Sequence, residues 1–288
     1  MDVNNIIDSL YSNLLGRLPD QDGREYYANI IASKGIDEGF NDVITSMSSS
    51  QEYYDFIRRK SAYSILGRYG TDGQEASSPL HIISLGNHCL TSSLLKKNHL
   101  KYYSLPFDWI FSSPESVAHC IEDDFTFFLD RSLYLSITSM RKSGEPGAEH
   151  NYYLSKFNIG EMFPHRDPTG NIDYNYFVRS VERFRSITKL TDRKLFVMIS
   201  RPNHDIGHHF KDLLAVISKV TSNFFLVCIQ LNEPTLIQGL RSARVIRSLN
   251  KGVLYEFTPS TREAGVGFES EMDDMSIMEL ICGHVEHI

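Results

Sequence analysis

The stretch ISLGNHCLTSSLLKK, residues 83–97, runs an apolar segment into Gly86 and then sets a thiol, Cys89, where a helix should begin. A thiol in that place is suited to nucleophilic chemistry. Unpaired amides at a helix N-terminus carry partial positive charge, which favours thiolate over thiol and could hold a developing oxyanion. Free cysteine is also among the most buried residue types, so the position equally suits an inert core thiol. Gly86, Asn87 and His88 form the turn before it, at a strand end where backbone approaches a ligand closely, and are candidate substrate-binding residues. His88 adjoins Cys89, but adjacent residues on a helix do not face each other, so it is a poor base for that thiol.

Other polar residues carry weaker chemistry. Arg201 directly follows the apolar run KLFVMIS, at another strand end, and is suited to a carboxylate or phosphate. Asp108 and Trp109 follow Pro106, which biases Leu105 toward an extended backbone. Trp109, the one tryptophan, is either a core anchor with Asp108 capping the next helix, or a pocket wall with Asp108 on the rim. Aromatic walls of that kind suit sugars or acyl groups. In HDIGHHF, His204 and His208 have a spacing that could clamp zinc on a helix. Gly207 interrupts it and no acidic or thiol ligand follows at a recognisable spacing, so no metal is expected and Asp205 reads as a helix cap. No cofactor is expected. His284 and His287 sit in MDDMSIMELICGHVEHI, which reads as a closing helix.

The elements that must position these groups follow from periodicity. LHIISLG, KLFVMIS, FFLVCIQL and GVLYEFTPS are short apolar runs, and LTSSLLKKN and FKDLLAVISKV between them are helical; TLIQGLRSARVIRSL also reads as helix-like. Continuous apolar strands alternating with amphipathic helices predict an α/β fold, a mostly parallel sheet with helices on both faces, in a flavodoxin-like or SGNH-like layer. Residues 104–190 form a long insertion between the first two strands. Residues 1–68 read as a small all-α module: Ile6, Ile7, Leu10, Leu14 and Leu15 share one helix face. GRLPDQDG breaks that helix, a second run continues through Tyr26, Tyr27, Ile30 and Ile31, a third starts after Gly35, and SSSQEYYDFI opens a fourth. Residues 69–80, rich in Gly and Ser, read as a linker, which leaves 81–288 as the α/β domain.

Composition narrows the classes. A net charge of -7 over 288 residues gives no basic stripe for nucleic acid. The longest apolar runs are far too short to cross a bilayer, so no integral membrane segment is expected. The first residues carry early acids and no basic region, unlike a secretory signal. Four cysteines, Cys89, Cys120, Cys228 and Cys282, lie far apart without a CxxC pair, which suits reduced thiols in a cytoplasmic protein.

Two resemblances add to this. LYSNLLGRLPDQDGREYYANII with SSSQEYYDF resembles a small helical domain of unknown function related to phycobilisome linkers, with Tyr27 where that family usually has Trp. Leu15-Gly16-Arg17 and Asp20-x-x-Gly23 read there as a helix stop and a capped turn, or else as part of a docking site for a glycan or protein partner. Ser84-Leu85-Gly86, Cys89, Pro106-Phe107-Asp108-Trp109, Asp124-Phe125 and the FPHRD…YFVRSVERFRSI segment resemble a bacterial family of papain-like cysteine peptidases. That resemblance implies Cys89 as nucleophile and His165 as its base, with Asp167 or Asp108 as the third member. The expected function is a thiol-dependent hydrolase or acyl transferase acting on a peptide, ester or thioester. The alternative is a carbohydrate-modifying or glycan-binding accessory protein of surface-polysaccharide synthesis without cysteine catalysis.

Overall fold

The computed structural model describes residues 3–15, 17–50, 52–53, 80–138, 145–235 and 240–284. The chain divides into two compact units, Met1–Arg68 and Tyr69–Ile288. In the first, α1 (Val3–Leu10) runs into a π-turn at Tyr11–Leu15, followed by α2 (Gln21–Lys34) and α3 (Ile36–Ser48). Ile7, Tyr11, Leu15, Ile31, Val43 and Met47 make its core. Asp20 caps α2 by accepting from the Gly23 amide at 2.7 Å. A Cβ at position 23 would crowd the Tyr11 hydroxyl and the Asp20 carboxylate, so a larger residue there would need those side chains to shift. Most of the predicted fourth helix, and residues 69–79 of the predicted linker, lie outside the described residues.

The second unit is built on five strands and a separate hairpin. Its strands are β1 (Leu80–Ser84), β2 (Tyr134–Thr138), β3 (Pro146–His150), β4 (Arg193–Ser200), β5 (Phe224–Leu231), β6 (Ser242–Leu249) and β7 (Gly252–Thr258). The main sheet has the order β1-β4-β5-β7-β6, parallel throughout except for antiparallel β6; β2 and β3 pair with each other. Its helices are α4 (Cys89–Lys97), α5 (Pro114–Glu122), α6 (Asn151–Phe157), α7 (Asn171–Lys189), α8 (Ile206–Val220) and α9 (Glu271–Cys282). The strands are apolar almost throughout because both faces are covered. Ile83, Phe196, Met198, Leu226, Cys228 and Leu254 share one core with Val117, Val181, Phe184, Phe210 and Ile217 of α5, α7 and α8. The alternate residues Ile82, Leu195, Val197, Ile199, Phe225, Val227 and Ile229 point to the other face and are buried as well. The mostly parallel sheet flanked by helices is the predicted architecture.

One predicted element is corrected. Ser242–Leu249, within the run read as helix-like, is strand β6. It pairs with β7 alone, across a turn at Asn250–Lys251, with Arg244 beside Glu256 and a bulge between Val245 and Arg247. As an edge strand it is mostly exposed, so its polar and apolar residues follow no strict alternation. The insertion after α4 holds α5, the β2–β3 hairpin, α6 and α7, and it carries His165.

Candidate active site

The turn from β1 into α4 is fixed residue by residue. Gly86 has φ +80°, and a Cβ there would lie 2.8 Å from the Phe107 carbonyl and 3.0 Å from Ser112 Oγ. The backbone needs both the left-handed conformation and the close approach, which only glycine combines without strain. Asn87 follows at φ 77° and is 1% exposed. Its amide donates to Ser112 Oγ (2.9 Å), its Nδ2 to the Ser112 carbonyl (2.9 Å), and its Oδ1 accepts from the Arg201 amide (3.1 Å). Its Nδ2 also lies 2.6 Å from His204 Nδ1. Asn87 is therefore a staple joining the ends of β1 and β4. Thr91 anchors α4 by donating to the Gly86 carbonyl (3.3 Å) and accepting from the Ile199 amide (3.2 Å).

Cys89 is the first residue of α4, with His88 as N-cap. Cys89 is 7% exposed, and its Sγ lies 3.7 Å from Nε2 of His165, 76 residues away in sequence. A chain of backbone bonds carries His165 there. Asn87 is tied to Ser112, the Phe111 amide donates to the Met162 carbonyl (2.9 Å), and Phe163 exchanges two 3.0 Å bonds with Ala148 of β3. Three residues past Met162 the imidazole is exposed, so one side of the pair is open to solvent.

The two carboxylates proposed as a third member are engaged elsewhere. Asp108 is fully buried and accepts from Ser92 Oγ (2.9 Å), the Leu105 amide (2.6 Å) and the Lys101 ammonium. Ser92 lies one turn along α4 from Cys89, and the ring of His165 is not among the partners of Asp108. Asp167 accepts from Ser136 Oγ (2.6 Å) and from the Thr169 amide and hydroxyl (3.0 and 2.6 Å). Among the described residues, the polar side-chain contact of His165 is Cys89, and neither Asp108 nor Asp167 is bonded to its ring. Trp109 is half-buried and lines neither cleft described below.

Two clefts open beside this turn. One, of about 510 Å³, is lined by Asn87, Phe111, Glu149, Glu161, Arg201 and His204, among others. The second, of about 420 Å³, lies past the carboxyl ends of β4, β5 and β7, between Arg201, Asn232, Pro259 and Arg262. Arg201 is common to both. Neither volume has Cys89 or His165 in its wall, although Asn87 and Gly160–Glu161 of the first flank the dyad in sequence.

The remaining histidines are dispersed. His204 bonds Asn87, His208 pairs with Asp205, and His209 lies 3.0 Å from Glu115. Asp205 caps α8, accepting from Gly207 (2.7 Å) and His208 (3.3 Å) amides. Glu263 was not foreseen: its carboxylate meets Arg201 Nε at 3.2 Å and His88 Nε2 at 3.3 Å. It stands in TREAGVGFES, a stretch without periodicity, and nothing local to it signals that partnership.

Fold and site together define an α/β protein whose sheet end sets a helix-initial thiol against an imidazole. Residues 80–232, more than half of the chain, match the family described as "Putative papain-like cysteine peptidase (DUF1796)", and the chain belongs to that family. Residues 2–56 match a second model, "Domain of unknown function (DUF4214)". No curated protein and no solved structure matches the chain.

Proposed function

We propose that this chain is a thiol-dependent hydrolase or acyl transferase in which Cys89 is the nucleophile and His165 the general base. The observation that carries this reading is the 3.7 Å approach of Nε2 to Sγ across 76 residues. In the reaction the imidazole takes the thiol proton and the thiolate adds to an acyl carbonyl. The oxyanion meets the amides that open α4, where they are pre-aligned by the turn. The tetrahedral adduct collapses as the imidazolium returns the proton to the leaving amine, alcohol or thiol. Water, or an acceptor nucleophile, then attacks the thioester with His165 again taking the proton, which frees Cys89. Membership of the family supports cysteine-dependent hydrolysis at the level of reaction type. The glycan-directed alternative gains no support from the same match.

The experiment is acyl trapping. Exposure to an activated ester such as p-nitrophenyl acetate should leave an acetyl group on Cys89, found by peptide mass spectrometry, and none should form in Cys89→Ala. Acetylation spread over lysines with Cys89 unmodified would refute the proposal.

A further inference from the structure

We propose that Glu263 is a positioning residue for Cys89, acting through His88 from a segment that lies beyond the family match. The proposal rests on the thiol reading above and adds to it a residue from the C-terminal part of the chain. His88 is the N-cap of α4 and is 1% exposed, yet its side chain makes no capping bond. Its Nε2 lies 3.3 Å from Glu263 Oε1, an ion-pair distance, while neither ring nitrogen reaches hydrogen-bond geometry among the described residues. What orients this ring is therefore packing and the charge of Glu263. The carboxylate is itself held in place: Oε2 meets Arg201 Nε at 3.2 Å and Oε1 accepts from the Gly265 amide.

The charge states agree with that picture. Burial pushes the His88 imidazole below its ordinary range, opposed by Glu263, with Arg201 and His204 the other charged or titratable groups that act on it. Burial works to raise the Glu263 carboxyl, but His88 and Arg201 outweigh it and hold the group below the usual range. At neutral pH an anionic Glu263 thus faces a neutral ring. The same C-terminal segment reaches the other end of α4, where Lys97 Nζ lies 3.5 Å from Asp274 Oδ2. The nucleophile helix is held at both ends by residues past position 232.

The test measures Cys89 alkylation by iodoacetamide against pH in the full chain, with Glu263→Gln, which keeps the volume and removes the charge, and Glu263→Asp, which keeps the charge. Glu263→Gln is expected to slow Cys89 about tenfold in the folded protein and to shift the His88 ring ¹⁵N signals, because small misplacements of a reacting group are costly. Glu263→Asp should restore the rate to within about threefold of the parent. A folded Glu263→Gln with the parent rate, pH profile and His88 signals overturns the proposal. Should that variant fail to fold, the parent protein decides: the His88 titration and the Cys89 rate profile share an inflection below about 6.5, and independent profiles overturn the proposal. His165→Ala serves as control. A loss there but not in Glu263→Gln defeats this proposal alone, and no loss in either defeats the thiol reading with it.

Discussion

At the scale of single residues, burial separates chemistry from scaffolding. Cys120 and Cys228 are fully buried and desolvation pushes both thiols far up; Cys282 is pushed up to about 12 by the same cause. These three are the natural unreactive controls for Cys89. Asp108 shows the opposite hazard, a carboxylate with an attractive sequence position and a structural duty. Burial pushes its carboxyl up and the Lys101 ammonium down, and each charge resists the shift of the other. Removing one partner of such a pair strands the other, at a cost of about 3 kcal/mol or more. Asp108→Ala should therefore lower stability by that amount in urea unfolding while leaving Cys89 alkylation in the folded fraction within about threefold. Full stability with a lost alkylation profile would instead make Asp108 part of the reactive group. The motif Pro106-Phe107-Asp108-Trp109 pointed to Asp108 by resemblance alone; that its carboxylate is bonded to Ser92, Leu105 and Lys101 was not legible in the sequence.

Among the elements, the insertion does the placing. Its hairpin and α6 meet at His150, which is fully buried beneath Tyr134, Tyr153 and Phe163. Nε2 bonds the Phe127 carbonyl at 2.9 Å, and Nδ1 has no hydrogen-bond partner among the described residues. Desolvation depresses the pKa of this ring, only partly offset by the Phe127 bond, and His88 and His204 are lowered by burial too. With a folded pKa below the unfolded value, the unfolded chain binds the proton more readily. The stabilisation is complete above about 6.5 and is lost as pH falls through the folded value. Urea midpoints should therefore fall between about pH 7.5 and 5.5. Asp108, raised by burial, works in the opposite sense, so His150→Phe isolates the histidine and should flatten the dependence. An equally steep profile in that variant would remove His150 as its source. Sequence periodicity found β1, β4, β5 and β7 together with α4, α8 and α9, because both faces of the sheet are buried; β2 and β3, in the insertion, were not read as strands. It misread β6, an edge strand whose exposed residues carry no burial pattern.

The whole molecule decides what neither residue nor element could. Cys89 was legible as a helix-initial thiol from residues 83–97 alone. The partnership with His165 was legible only through family resemblance, since it depends on backbone bonds from Ser112 to Asn87 and from Phe111 to Met162. Glu263 was not legible at all, because it reaches the turn through a loop between β7 and α9. The helical unit at the start of the chain has its own core and is matched by its own family model.

If the fold joins a thiol and an imidazole into one reactive unit, the alkylation kinetics of the cysteines will show it. Rates at all four cysteines, resolved by mass spectrometry across pH, should show Cys89 reacting far faster than Cys120, Cys228 and Cys282 at neutral pH. Its profile should have a midpoint below the roughly 8.5 of a free thiol. His165→Ala should move that midpoint upward and slow Cys89 at neutral pH by about tenfold or more. A Cys89 that reacts no faster than the buried thiols, or a profile that His165→Ala leaves unchanged, would show that no such unit exists.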